Sequence, residues 1–302
     1  MKVIRARVLG FCMGVRRAVE IAWQASSSIT SEVYTMGPLI HNPSVLESLE
    51  KRGLICLGEG EIPPDVDLPT SDFPAEKATV IIRAHGVSPV IQKELVRRGQ
   101  RILDATCPHV KVSQEKARSF AEKGYRIFLA GEKNHAEIAG IQSYVEEAVS
   151  ARFSRCFVAA NPDEAEAAAA ELFRLGGDGK TVLIGQTTIS SEEYRAIAKA
   201  VMRYFPSLEI LDTICGAAVE RQEALRELCS QVDAVIIAGG RGSSNTQRLL
   251  SLARELGKPG WIAETQADIP AEIRNYAIVG LSAGASTPES IIDEIEKEMS
   301  KY

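Results

Sequence analysis

The sequence predicts an α/β fold built from three similar parallel modules, and three observations carry that reading. The string ILDATC at 102–107 recurs as ILDTIC at 210–215. Each copy precedes a helix-like stretch, at 112–123 and 219–232, and then a short apolar strand closing on a glycine, RIFLAG at Gly131 and AVIIAG at Gly239. A last apolar strand in each unit runs into a polar turn and a new helix, which is the alternation expected of parallel α/β units.

Along the chain, the first module opens with the strand VIRARVLG leading to Cys12, a helix at 15–24 and the strand VYTMG ending at Gly37. The proline-rich, acidic stretch 58–77 reads as a surface loop. Strand TVIIRAHG at 79–86 ends this module and leads into VSP. In the second module ILDATC, the helix and RIFLAG are followed by TVLIGQT at 181–187 and then SSEE at 190–193. The third runs from ILDTIC through AVIIAG and a helix at 247–256 to YAIVGLSAG at 276–284 and STPES at 286–290. Ser or Thr followed by Pro or Glu reads as a helix N-cap, because its side-chain oxygen accepts from an unpaired N–H of the first turn. Cys12, Cys107 and Cys215 stand roughly a hundred residues apart, which divides the chain into modules at 13–100, 101–208 and 209–302. The N-terminal strand within 1–12 is a candidate to pack against the third.

The 302 residues are 45% hydrophobic and 25% charged, with a formal net charge of -5. That balance, with no run of five or six like charges, argues against a nucleic-acid partner, which usually needs a basic stripe. Arg5, Arg7, Arg16 and Arg17 interrupt the apolar residues of the N-terminus, and no later apolar run approaches membrane-spanning length, so no membrane association and a cytoplasmic location are expected.

Six cysteines are present, and no two are closer than Cys215 and Cys229, which excludes Cys-x-x-Cys zinc, thioredoxin and ferredoxin spacings. Cys12, Cys107 and Cys215 share one place, the carboxyl end of a strand, where parallel α/β proteins gather function. They read as metal ligands, whereas Cys56, Cys156 and Cys229 lie in apolar segments and read as core residues.

The second strand of each module ends in a polar loop: GPLIHNPS from Gly37, GEKNHAE from Gly131 and GGRGSSNT from Gly239. Ser243, Ser244 and Asn245 open a helix and could present hydroxyls and N–H groups to a phosphate, or act simply as caps. His41, His85 and His135 occupy strand-end loops and would supply N–H donors to an anion without fixed charge. The same histidines with Glu137 could instead bind zinc or iron, though their spacing lacks a helical His pair. His109 reads as an accessory or surface residue.

In this order FCMGVRRA, GPLIHN, RAHGVSP, DATCP, HAE, QTT, TIC, RQ, SSNT and SAGASTP make the chain resemble the 4-hydroxy-3-methylbut-2-enyl diphosphate reductases, the LytB/IspH family. The resemblance covers nearly the whole length. It implies a pseudo-threefold arrangement of the modules around one 4Fe-4S cluster held by Cys12, Cys107 and Cys215, with the fourth iron open to the substrate hydroxyl. It further implies that His41, His85, His135, Thr188, Ser243, Ser244, Asn245 and Ser286 bind the diphosphate substrate, that Thr187 lies near the substrate hydroxyl, and that Glu137 supplies a proton. The reaction implied is reductive loss of the C4 hydroxyl to give isopentenyl and dimethylallyl diphosphates, the last step of the non-mevalonate isoprenoid route, with a ferredoxin or flavodoxin as electron donor. The chain departs from the family pattern at Ala218 and Glu220, where Thr and Asn are usual, and at His109, where an apolar residue is common.

Two other readings compete. Quinolinate synthase, or another three-module iron-sulfur lyase, would share the cysteine arrangement but lack a diphosphate pocket. A non-catalytic iron-sulfur or zinc redox sensor would have no use for HAE, QTT and SAGAS on the same face.

Overall fold

Short apolar runs ending in a glycine or cysteine become buried parallel strands, and the polar turns after them become helix starts. The computed structural model describes residues 1–29, 31–58, 61–63, 78–148, 156–176 and 179–302. The chain begins with β1 (Lys2–Arg5), α1 (Met13–Ser28), β2 (Val33–Thr35), α2 (Pro43–Glu50), β3 (Leu54–Cys56), β4 (Thr79–Ile82), α3 (Pro89–Arg97) and β5 (Arg101–Asp104). It continues with α4 (Pro108–Glu122), β6 (Arg126–Ala130), α5 (Ala136–Ala148), β7 (Cys156–Ala159), α6 (Pro162–Arg174), β8 (Thr181–Gly185), α7 (Ser191–Met202) and β9 (Glu209–Ile210). The last part holds α8 (Gly216–Cys229), β10 (Ala234–Ala238), α9 (Ser244–Glu255), β11 (Gly260–Ala263), β12 (Ile278–Ala283) and α10 (Glu289–Met299).

The strands form three parallel four-stranded sheets, β3-β2-β4-β5, β7-β6-β8-β9 and β11-β10-β12-β1. One order is repeated three times, and the fourth strand of each sheet leads to Cys107, Cys215 or Cys12. The third sheet is completed by the N-terminus, with Lys2 opposite Ile278 and Arg5 opposite Leu281. Strands β5 and β9 pair with β4 and β8. A division at 101 and 209 puts each of them with the module that follows, but their hydrogen bonds attach them to the sheet before. The following helix then crosses to the next layer: Ala117 and Ala121 of α4 pack with Ile127 and Leu129 of β6.

Central strands are buried throughout, as in Val80–Ile82 of β4, Val182–Ile184 of β8 and β10. Continuous apolar sequence is what helices on both faces of a parallel sheet require. Helices α1, α4, α8 and α9 begin before the apolar periodicity at 15, 112, 219 and 247: Cys12 and Ser243 cap α1 and α9, Pro108 opens α4, and α8 starts at Gly216 without a side-chain cap. Ser88 and Ser190 cap α3 and α7, accepting from Ile91 N–H at 3.3 Å and Glu193 N–H at 3.1 Å. The STPES turn behaves differently. No side chain caps α10; Ser286 Oγ donates to the His41 carbonyl at 3.1 Å and Thr287 Oγ1 to the Ala238 carbonyl at 3.0 Å.

Cys229 is buried, but Cys156 is only partly so and Cys56 is exposed. The core reading of Cys56 therefore fails: β3 is an edge strand that buries only Leu54 of its three residues. The surface-loop reading of 58–77 falls largely outside the described residues. No helix among the described residues is long and apolar enough to cross a membrane.

Candidate active site

Each of the three cysteines is the residue on which a helix begins. Cys12 caps α1, its Sγ accepting from Val15 N–H at 3.5 Å, while Cys107 and Cys215 precede Pro108 of α4 and Gly216 of α8. All three line one cavity. Burial pushes the Cys107 and Cys215 thiols above their ordinary pKa. The N–H groups of His109 and Val110, and of Ala217 and Ala218, pull them back down.

The backbone ties each cysteine to a strand-end loop. Cys12 N–H donates to the Ala285 carbonyl at 3.1 Å, Cys107 N–H to Ala84 at 2.9 Å, and Cys215 N–H to Thr187 at 2.9 Å. Ala285 precedes Ser286 and Ala84 precedes His85, so each thiol is fixed next to a residue singled out as substrate-binding or catalytic. Close approach is needed as well: a Cβ on Gly14 would fall 2.6 Å from Cys107 Sγ, and one on Gly240 would fall 2.5 Å from the His41 carbonyl.

His41, His85 and His135 converge, with ring centroids 4.7, 5.4 and 5.9 Å apart. Burial drives His85 well below its ordinary pKa, helped by His41, His135 and Arg83, and lowers His135 to about 4. Both are thus neutral near pH 7. His135 Nδ1 accepts from Glu137 N–H at 3.1 Å, which puts the ring proton on Nε2. His85 Nδ1 is buried without a hydrogen-bond partner among the described residues.

The SSNT turn does more than cap. Ser243 caps α9 through Thr246 N–H at 3.4 Å, Asn245 Oδ1 accepts from Ala285 N–H at 2.9 Å, and Ser244 Oγ donates to Glu132 at 3.0 Å. These three residues and Ser286 are buried and line the same cavity as the histidines and cysteines. Neutral N–H donors, hydroxyls and a helix N-terminus on one wall suit a phosphate group.

The Glu137 carboxyl is engaged by Thr187. Its Oε1 accepts from Thr187 N–H at 2.7 Å and its Oε2 bonds Thr187 Oγ1 at 2.8 Å. Burial raises its pKa to about 7 against the pull of those two bonds. Thr188 Oγ1 accepts from Gln186 Nε2 at 3.1 Å. The ligand atoms of the three histidines all lie within 4.8 Å of one another, but Glu137 is not part of that group, so a metal set including it is not assembled.

Several residues had no assigned role in the sequence reading. Arg221, only 3% exposed, donates to the Gly10 carbonyl at 2.6 Å and the Ala217 carbonyl at 2.7 Å, clamping the Cys12 loop to the start of α8. Arg17 donates to the carbonyls of Asp104 at 2.9 Å and Thr106 at 3.2 Å, joining α1 to the strand before Cys107. Buried Gln114 donates to the His85 carbonyl at 3.3 Å. Arginines and a glutamine near the cysteine motifs were the available signal, but not their partners.

A family model described as LytB protein matches residues 3–300. The chain belongs to the LytB family. LytB proteins are iron-sulfur enzymes. The 4-hydroxy-3-methylbut-2-enyl diphosphate reductase of Treponema denticola is 41% identical over 303 residues, covering 99% of this chain and 99% of its own. That of Pelobacter propionicus is 36% identical over 296 residues, covering 98% and 96%. A solved structure of the E-1-hydroxy-2-methyl-but-2-enyl-4-diphosphate reductase from Plasmodium falciparum matches with a TM-score of 0.84 and 26% identity, over 98% of this chain and 87% of that one. A second, described as the terminal enzyme of the non-mevalonate pathway, matches with a TM-score of 0.67 and 32% identity over 100% of both chains. In this LytB chain Ala218 is buried on the cavity wall, His109 is exposed but also lines the cavity, and Glu220 is exposed.

Proposed function

We propose that this chain removes the C4 hydroxyl of (E)-4-hydroxy-3-methylbut-2-enyl diphosphate, using two electrons and two protons, to give isopentenyl and dimethylallyl diphosphates in the last step of the non-mevalonate route. The observation that carries it is one cavity lined by three cysteines from helix starts, three converging histidines and the SSNT turn. Three thiols with inward N–H groups fit a 4Fe-4S cluster on Cys12, Cys107 and Cys215. When bound, that group supplies the electrons and a Lewis-acidic iron for the departing oxygen.

The protein's own residues do the rest. His41, His85, His135, Thr188, Ser243, Ser244, Asn245 and Ser286 hold the diphosphate, and this remote binding fixes the reacting carbon. Hydroxide is a poor leaving group, so a proton must reach its oxygen. Protonated Glu137 donates through Oε2 to Thr187 Oγ1, which frees the threonine proton for the cavity. Thr187 N–H on Oε1 keeps the carboxyl aligned for that transfer. A ferredoxin or flavodoxin would serve as donor of electrons.

Anaerobic incubation of cluster-loaded protein with this substrate and a one-electron reductant tests the reading. Formation of both five-carbon diphosphates supports it, and unchanged substrate over an intact, reducible cluster contradicts it. A divalent ion on the three histidines is a second reading, favoured by their 4.8 Å spacing. Stoichiometric zinc that survives loss of the cluster and is displaced by no diphosphate would favour it.

A further inference from the structure

Glu132 lies in the loop between β6 and α5, and its Oε2 accepts from Ser244 Oγ at 3.0 Å. Its backbone N–H donates to Gln186 Oε1 at 3.0 Å, and its carbonyl accepts from His135 N–H at 3.0 Å. The backbone of Glu132 is thus anchored by Gln186, which also bonds Thr188, and by His135, while its carboxylate reaches the cavity wall through Ser244. Ser244 is only 6% exposed and lines the cavity, whereas Glu132 is exposed. A negative charge bonded to the SSNT turn opposes the anion which that turn is suited to bind.

We propose that Glu132 is an internal competitor for the diphosphate, engaging the Ser244 hydroxyl when the anion is away and yielding it when the anion binds. The proposal rests on the reading of the cavity as a diphosphate site. A serine hydroxyl carries one proton, which can go to Glu132 or to a phosphate oxygen but not to both. Ligand binding is therefore coupled to breaking the Glu132 bond, and affinity falls by whatever that bond contributes. Once displaced, the carboxylate remains next to Ser244 as a like charge, partly screened by water.

The arrangement has a use. Substrate and both products carry the same diphosphate, so a site that gripped this group without opposition would also retain its products. A resident carboxylate weakens the hold on all three alike and speeds release, and its connection through Gln186 keeps it in place between turnovers.

The test is calorimetric titration of inorganic diphosphate into cluster-loaded wild type, Glu132→Gln, Glu132→Ala and Asn245→Ala. Glu132→Gln keeps the size of the side chain and an acceptor for Ser244 but removes the charge, so Kd should fall roughly tenfold. The gain should shrink at high salt, and KM should fall with stronger product inhibition. Glu132→Ala should bind tighter than wild type as well. Unchanged or weaker binding in both Glu132 variants, beside normal wild-type binding that Asn245→Ala loses, overturns the proposal alone. If wild type binds no diphosphate and Asn245→Ala behaves identically, the reading of the cavity fails and the proposal fails with it.

Discussion

The Glu137 carboxyl is held by both the N–H and the hydroxyl of Thr187, at 2.7 and 2.8 Å, and not by His135. Cys215 N–H in turn donates to the Thr187 carbonyl at 2.9 Å. A residue suited to deliver a proton is thereby joined through one threonine to a candidate cluster ligand.

Glu137→Gln keeps the size and hydrogen-bonding capacity of the side chain but has no acidic proton. General-acid catalysis contributes typically ~10² to 10⁴ in rate, so kcat should fall about a hundredfold or more with little change in KM. Single-turnover reduction with the cluster intact is the measurement. Near-normal turnover would remove Glu137 from the mechanism.

The same carboxyl makes stability depend on pH. Its folded value of about 7 lies above the ordinary 4.5, so the folded protein binds this proton more tightly than the unfolded chain does. Its contribution is fully present below pH 4.5 and is lost as pH rises through 7. The span corresponds to about 3 kcal/mol. Chemical denaturation from pH 5 to 8 should show this loss in wild type and not in Glu137→Gln. The single-turnover rate of wild type should decline over the upper half of that range.

Cys12→Ser, Cys107→Ser and Cys215→Ser should each abolish a stable cluster, while Cys56→Ser, Cys156→Ser and Cys229→Ser should retain it. Iron and sulfide content after anaerobic reconstitution decides the point. Equal content in all six variants would count against the ligand assignment.

How legible these features were in sequence depended on how local their causes were. The three-module pattern was readable because short apolar strands and Ser caps are local signals, as at Ser88 and Ser190. The three cysteines stood out because ILDATC and ILDTIC repeat. The helix starts at Cys12 and Cys215 were read late because cysteine is not a usual cap residue. Cys56 was misread because apolar neighbours do not reveal which strand lies at a sheet edge. Arg221 and Glu132 received no role, since their partners Gly10 and Ser244 are distant in sequence and meet only when the sheets assemble.

Arg221 offers a test of that assembly. Arg221→Met removes two charged hydrogen bonds and leaves the Gly10 carbonyl without its guanidinium donor. Stability should fall by about 2–4 kcal/mol, and bound iron should be lost faster during anaerobic dialysis. Urea unfolding together with iron analysis measures both. Unaltered iron retention would show that the clamp does not organise the cysteine loops.

A cluster on Cys12, Cys107 and Cys215 would share one cavity with the proposed diphosphate pocket, so that substrate meets the cluster. Mössbauer spectroscopy of anaerobically reconstituted protein, with and without (E)-4-hydroxy-3-methylbut-2-enyl diphosphate, tests it most directly. One iron distinguishable from the other three is expected, and its spectrum alone should shift when substrate is added. Four equivalent irons, or a spectrum unchanged by saturating substrate, would contradict it.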